Sequence, residues 1–151
     1  MELNRILLEQ VVERRKIFKF KNSRLHSKEP HYHIVIHNDK EKKSYIFACS
    51  TTQYEKRKRY IELEGLPETT LIWIKPSENN GLTKNSYIDC NSVFVISDDE
   101  FYQKYSEGGL SLEGELEEGY FYQICKGIAD SPKNSNEIRE LAQKIIENGN
   151  I

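Results

Sequence analysis

The stretch that decides the fold is HYHIVIH, residues 31–37, a short run rich in β-branched and aromatic residues. Similar runs follow it closely: SYIFACS at 44–50, LIWIK at 71–75 and YIDCNSVFVI at 87–96. Turn-forming residues separate them, at Asn38 to Lys40, at Pro67 and from Pro76 to Gly81. No helix long enough for a parallel crossover fits between these runs. We therefore expect an antiparallel sheet that curls into a small barrel.

Helical patterns flank this block of strands. On its N-terminal side, apolar residues spaced three and four apart predict an amphipathic helix from Leu3 to about Lys19. A basic connector follows and ends at Pro30. On its C-terminal side we predict three helices, at Asp98–Tyr105, Glu115–Gly127 and Ser135–Glu147. Ser97 is the expected N-cap of the first and Ser135 that of the third. The third helix has an apolar stripe of Ile138, Leu141, Ala142 and Ile145.

The order of these patterns predicts an α+β protein with a single domain, residues 1–151. Its expected parts are a β-barrel core at 30–97, an N-terminal helix with the basic connector at 1–29, and a helical extension at 98–151.

The composition narrows the class of protein. No stretch approaches the roughly 20 apolar residues that a membrane span needs. The three cysteines are too few and too scattered for a disulfide framework or a four-ligand zinc site. We therefore expect no membrane partner and a cytoplasmic location. The net charge of −2 conceals an asymmetry, because residues 1–60 hold 15 Lys and Arg against 7 Asp and Glu, whereas residues 61–151 hold 7 against 17. A basic half of this kind suits a polyanionic partner.

The histidines of the first run carry the densest chemical signal. On an ideal strand His31, His33 and His37 project from one face. Histidine titrates near neutrality, so two of them on one face can take a proton from a ribose 2′-hydroxyl and return one to a leaving oxygen. The same residues could instead bind a metal together with Cys49, or be structural histidines half-buried at the mouth of the barrel.

The second signal is the run from Ser50 to Arg59, STTQYEKRKR, in which hydroxyls precede four cations. Hydroxyls and backbone amides can bind phosphate oxygens, and Lys and Arg neutralise them. Tyr54 and Tyr60 flank the cations and can stack on unpaired bases. We expect a loop or a helical turn here. The alternative is an ordinary solvated surface.

A third segment, from Leu82 to Asn91, is a polar turn that leads into a strand, on which Asp89 and Asn91 would share a face. The lone cysteines Cys49, Cys90 and Cys125 are expected to be buried small residues. The sequence contains no P-loop, no GxGxxG and no Ser/His/Asp signature.

Taken together, these segments resemble the MazF/PemK family of bacterial toxins. HYHIVIHND at 31–39 lies in the frame of the family's RPVLVIQND-type first strand, and Thr51-Thr52-Gln53 is similar to its Thr-Ser-Gln strand end. Leu82 to Ile88 matches its L-x-K-x-S-x-[VI] strand. The resemblance covers about residues 30–97.

This resemblance implies a small SH3-like β-barrel, usually a homodimer, that cleaves single-stranded RNA without a metal or other cofactor. Attack by the 2′-hydroxyl would leave a 2′,3′-cyclic phosphate. The family's catalytic Arg falls on His31 and its catalytic Thr on Thr51. The expected catalytic residues are His31, His33 and Thr51, and the expected RNA-binding residues are Lys28, Thr52, Gln53, Lys56, Arg57, Lys58, Arg59 and Ser86.

The replacement of a fixed cation by His31 leaves two interpretations open. One is an endoribonuclease whose activity depends on pH, with Lys56 or Arg57 supplying the fixed charge. The other is a non-catalytic barrel module that binds RNA or a protein partner. In the family an antitoxin segment occupies the RNA groove, so a cognate antitoxin is an expected partner. The terminal helices would cover that groove or supply a different surface.

Overall fold

The computed structural model describes residues 2–25 and 27–149. Within these residues the chain forms five α-helices, one 3-10 turn at Glu68–Thr70, and six strands. The helices are α1 Glu2–Val11, α2 Tyr54–Leu63, α3 Asp98–Ser106, α4 Glu118–Asp130 and α5 Asn136–Asn148. The strands are β1 Lys16–Phe20, β2 His31–Asp39, β3 Ser44–Thr51, β4 Leu71–Ile74, β5 Ser86–Ser97 and β6 Ser111–Glu115. No helix of these residues is long and apolar enough to cross a membrane.

The strands form one antiparallel sheet in the order β4-β5-β3-β2-β1-β6. The predicted α+β class with a curled antiparallel sheet is confirmed, and the sheet is a half-barrel. The loop between β4 and β5 crosses to β6 at the far edge, where the Glu115 amide donates to the Asn79 carbonyl at 2.8 Å. The approach is close enough that a Cβ on Gly81 would lie 2.1 Å from the Glu113 carbonyl oxygen. A loop therefore completes the wall between the two edge strands.

Both faces of the sheet are packed against helices. The inner face lies against α4 and α5, in a core that includes Ile34, Ile74, Ile88, Phe121 and Ile145. The outer face lies against α1 and α3, in an aromatic core of Phe18, Phe20, Tyr45, Phe47 and Phe101 with aliphatic neighbours.

The predicted N-terminal helix is too long. It ends at Val11, and the residues from Lys16 to Phe20 form β1 instead. Arg15 has a φ of 78°, and its amide donates to the Val35 carbonyl at 2.9 Å, so the backbone turns into the sheet rather than continuing the helix. The alternation in KIFKF buries Ile17, Phe18 and Phe20.

The sheet also extends beyond residues 30–97 on the C-terminal side. The polar segment SLEGE forms the edge strand β6, which pairs with β1, so residues 98–151 are not purely helical. An edge strand with one pairing partner needs little apolar periodicity, and this explains why the sequence pattern missed it.

The remaining elements agree with the sequence patterns to within a few residues. The four predicted strands are present, and the two serine caps form as expected. Ser97 Oγ accepts from the Glu100 amide at 3.1 Å, and Ser135 Oγ accepts from the Ile138 amide at 3.2 Å.

Candidate nucleic-acid interface

Four strands bring one residue each to the same end of the sheet. Thr51 is paired with Tyr87, and Tyr87 is paired with Trp73 on its other side. The β2–β3 ladder ends with the pair His33–Cys49, and His31 and Thr51 each lie two residues beyond that pair, at the same end of the two strands. Cross-strand partners share a face, and these four lie on the outer face. We call His31, Thr51, Tyr87 and Trp73 the outer row. It crosses four neighbouring strands, which are about 4.8 Å apart, so it is about 14 Å long.

The outer row is partly accessible, whereas the residues that alternate with it on β4 and β5 are buried. Trp73 is 51% exposed, and His31, Thr51 and Tyr87 are half-buried. Ile72, Ile74 and Ile88, which alternate with these residues, are buried on the inner face. The helices α1 and α3 cover the outer face nearer the opposite end of the strands, where Tyr45 and Ile96 lie. The row is therefore an open stretch of sheet surface.

Thr51 connects the outer row to helix α2. Its Oγ1 accepts a hydrogen bond from the Gln53 amide at 3.1 Å, which turns the chain from β3 into the helix. No side chain caps α2, whose N-cap residue is Gln53. The amides of the first turn and the hydroxyl proton of Thr51 are donors at this junction, the arrangement that suits a phosphate group.

The basic cluster lies on α2, a ten-residue helix rather than a loop or a single turn. At helical spacing, Arg57 and Lys58 lie on the same side as Tyr54 and the buried Ile61. Lys56 and Arg59 lie on the opposite, exposed side. The four cations are thus divided between the side of α2 that meets the sheet and the side that faces solvent.

Asp89 holds Arg57 towards the sheet. Its side chain is only 7% exposed, and Oδ2 lies 3.7 Å from Arg57 Nη1 and has no hydrogen-bond partner among the described residues. The other oxygen, Oδ1, accepts from the backbone amide and from Nδ2 of Asn91, at 3.0 and 2.9 Å. Because a buried carboxylate favours a nearby cation, Asp89 is a positioning residue for Arg57. Sequence reasoning noted Asp89 as polar and missed this role, which depends on α2 packing over β5.

His33 does not reach the surface, which corrects its expected place in the catalytic set. It is 0% exposed and stacks on Phe20 with ring centroids 3.8 Å apart. Nδ1 donates to the His31 carbonyl at 2.9 Å, and Nε2 accepts from Asn22 Nδ2 at 3.3 Å. Burial lowers the pKa of His33 to about 3. A buried, neutral imidazole with both nitrogens occupied cannot exchange protons with a substrate.

The expected common face for the three histidines is also wrong at His37. A bulge between Val35 and His37 pairs His37 with Ile46, an inner-face residue, whereas Val35 is on the outer face. His37 Nδ1 lies 3.0 Å from Arg14 Nη2, and burial, together with this guanidinium, lowers the pKa of His37. Only His31 remains on the outer row, and its Nε2 is buried without a hydrogen-bond partner.

The His, Cys, Asp and Glu side chains of the described residues do not form a metal site. Across residues 2–25 and 27–149, no three His, Cys, Asp or Glu side chains lie where they could hold an ion. Cys49 is buried, and burial raises the pKa of its thiol to about 12, so the thiolate that a metal prefers is disfavoured. The expectation that Cys49, Cys90 and Cys125 are buried is confirmed.

The other expected RNA-binding residues divide by exposure. Thr52 and Gln53 are exposed beside Thr51, and Lys28 is exposed in the connector just before β2. Ser86 is 2% exposed, pairs with the inner-face residue Ile74, and donates through Oγ to the Lys84 carbonyl at 3.2 Å. Its hydroxyl is therefore unavailable to a ligand on the outer face, which corrects that assignment.

Comparisons with known proteins add little to this description. No protein-family model matches the sequence, and no curated protein matches it at a significant level. Among solved structures, the chain is similar to one described as an endoribonuclease from Mycobacterial species, with 12% sequence identity and a TM-score of 0.49. The similarity covers 78% of this chain and 88% of that one. An overlap of this extent assigns neither a family nor an activity.

Proposed function

We propose that the protein is a toxin-type, metal-independent endoribonuclease that cleaves single-stranded RNA on the outer row. The observation that carries the proposal is that His31 and Thr51 lie at the same end of β2 and β3, each two residues beyond the pair His33–Cys49, where the basic helix α2 begins. The His31 ring is half-buried at that point, and its Nε2 is buried with no hydrogen-bond partner among the described residues. An imidazole, a hydroxyl and helix amides around one position are the groups that an RNA phosphodiester requires.

In the proposed reaction the ribose 2′-hydroxyl attacks the adjacent phosphorus. The new O2′–P bond forms as the P–O5′ bond breaks, giving a 2′,3′-cyclic phosphate and a 5′-hydroxyl. His31 takes the 2′-hydroxyl proton, and the leaving 5′-oxygen gains a proton from His31 or from water. Thr51 Oγ donates to a non-bridging phosphate oxygen, and the amides at the start of α2 stabilise the developing negative charge.

The cations of α2 have two proposed roles. Arg57, held by Asp89 near the sheet, contributes fixed charge close to the scissile phosphate. Lys56, Lys58 and Arg59 contact flanking phosphates of the same strand. Thr52, Gln53 and Lys28 extend this phosphate-binding surface on either side of His31 and Thr51.

The test is incubation of the full chain with a fluorescent, unstructured RNA in EDTA, with products analysed for a 2′,3′-cyclic end. We expect cleavage by the wild-type chain and a loss of at least about 100-fold in His31→Gln, the lower range for general acid–base catalysis. Thr51→Val should also lower the rate. His37→Gln is the matched control, because His37 lies on the other face, and it should cleave normally. Absence of cleavage by the wild-type chain, or full activity of His31→Gln, would overturn the proposal.

A second candidate function is a non-catalytic module that binds RNA or a protein partner. The observation that favours it is the burial of His33, which leaves one histidine where an acid–base pair was expected. Tight RNA binding with no products at any pH between 5 and 9 would support this candidate over the nuclease.

We also propose partners for the same surface. An antitoxin segment that is acidic or apolar would compete with RNA for the outer row and α2, and the working form would be a cytoplasmic homodimer. Light scattering of the purified chain gives its mass in solution, and an acidic peptide should inhibit RNA binding competitively if this assignment is right.

A further inference from the structure

One large aromatic side chain on the sheet has no structural role in the core. Trp73 lies in the edge strand β4, where Ile72 and Ile74 are buried and Trp73 is 51% exposed. Among the described residues it takes part in no ring pair or cation–π contact. A half-exposed tryptophan on an edge strand presents a flat aromatic surface that a ligand can cover.

A braced tyrosine pair lies beside it. Tyr87 is the cross-strand partner of Trp73, so their Cβ atoms are about 5 Å apart on the same face. The ring of Tyr54 packs on Tyr87 with centroids 4.7 Å apart and planes at 42°. Lys58 Nζ lies over the Tyr54 ring, 5.7 Å from its centroid. The tyrosines are thus held in place, while Trp73 is free to accept a flat partner.

The charges around these rings indicate the kind of ligand. Lys58 and Arg57 come from α2, and Lys75 is exposed two residues after Trp73. A protein contact of useful size needs several hundred Å² of apolar surface, whereas here three neighbouring rings lie among cations. Exposed aromatic rings interleaved with cations are the arrangement by which proteins bind single-stranded nucleic acid, with bases on the rings and phosphates on the cations.

We propose that Trp73, Tyr87 and Tyr54 form a stacking platform for one unpaired nucleobase of the RNA strand. This inference rests on the proposed function, because it takes the ligand of the outer row to be RNA. Trp73 lies two strand spacings from Thr51, about 10 Å, so the stacked base belongs to a nucleotide that flanks the scissile phosphate. The platform selects single-stranded over duplex RNA, since a paired base cannot leave its stack to reach the rings without an energetic cost.

The experiment uses the intrinsic fluorescence of Trp73, which is the only tryptophan of the chain. The ligand is a 2′-O-methyl oligonucleotide, which lacks the attacking hydroxyl and so binds without being cleaved. We expect single-stranded ligand to quench the fluorescence saturably and the same oligonucleotide in a duplex to leave it nearly unchanged.

Variants then separate stacking from charge. Trp73→Ala should weaken binding of a labelled oligonucleotide by about 5- to 150-fold, the range for one base–aromatic stack. Trp73→Phe should restore most of that affinity. Tyr122→Ala, which removes a comparably exposed aromatic from α4, is the matched control and should bind as the wild type does. Circular dichroism checks that each variant is folded.

The outcomes for platform and nuclease are distinguishable. Quenching and a weaker Trp73→Ala complex without any RNA cleavage would support the platform and overturn the nuclease. Cleavage by the wild type with full affinity of Trp73→Ala would overturn the platform and leave the nuclease standing. Failure of the wild-type chain to bind any single strand would overturn both.

Discussion

Acidification from pH 7 to pH 5 should destabilise the protein through His33. Its Nδ1 donates to the His31 carbonyl, and its Nε2 accepts from the amide of Asn22. If Nε2 were protonated, its N–H would face the N–H of the Asn22 side-chain amide, so two donors would meet. Phe20 is stacked on the His33 ring, so the charge would also be buried in an aromatic core. The folded state therefore favours the neutral form of the His33 imidazole, and burial lowers the pKa of His33 to about 3.

The size of the effect follows from the difference in pKa between the folded and the unfolded chain. An unfolded histidine has a pKa of about 6.5, so between pH 6.5 and pH 3 the unfolded state holds a proton that the folded state does not. The free energy of unfolding then decreases as the pH falls, by up to about 1.4 kcal/mol per pH unit. Between pH 7 and pH 5 the loss due to His33 is about 2 kcal/mol.

The assay is urea unfolding at pH 7, 6 and 5 and constant ionic strength, for the wild type and for His33→Asn. Asparagine can keep a donor near the His31 carbonyl but has no proton to gain. We expect the variant to be less stable at pH 7 and to lose about 2 kcal/mol less than the wild type on going to pH 5. His37→Asn serves as the control for removing a histidine elsewhere on β2.

Two results would refute this reasoning. One is an NMR titration of the folded wild type in which the His33 ring protons titrate near pH 6.5. The other is a pH dependence of unfolding that is the same in wild type and His33→Asn. The NMR titration needs no variant, so it remains decisive even if His33→Asn does not fold.

Three further predictions concern α2 and the glycines. Asp89→Asn keeps an acceptor but removes the charge that faces Arg57, so RNA affinity measured by fluorescence anisotropy should drop several-fold, and an unchanged Kd would contradict the positioning role. Lys56→Ala should reduce the slope of log K against log salt by about 0.7, the value for one phosphate contact on a single strand, and an unaltered slope would remove Lys56 from the interface. Gly81→Ala forces a Cβ to 2.1 Å from a backbone oxygen of β6 at a φ of +69°, so it should lower the Tm and cost more than about 1 kcal/mol. Gly119→Ala meets open space on α4 and should leave the Tm equal or higher.

The sequence predicts best those elements that are stabilised by residues close to one another in the chain. The β2 to β5 strands follow from β-branched runs bounded by turn residues, and the caps Ser97 and Ser135 follow from one side chain and the amide three residues on. The sequence pattern predicts a helix where β1 lies, because Ile17 continues the helical spacing of α1. Its pairing with two distant strands prevails over that weak local preference.

The candidate site was predictable in its residue types and only partly in its geometry. His31, Thr51 and the cations of α2 were all identified from the sequence, and the structure brings them to one end of the sheet. The burial of Ser86 follows from its pairing with Ile74, and no property of the segment that contains it indicates which face it takes. The same holds for the anchoring of Arg57 by Asp89, two residues that are 32 positions apart in the sequence.

By itself the sequence determined the alternation of strands and helices, the polarity of the two halves and the identity of the candidate groups. The tertiary structure decided which of the three histidines lies on the outer row: Phe20 covers His33, a bulge turns His37 to the inner face, and His31 stays half-buried at the end of β2 beside Thr51. It also decided that Trp73 stands beside Tyr87. The physical reason is that register, bulges and the face a strand presents are set by pairing with strands distant in the chain, and a one-residue change in that pairing exchanges the two faces.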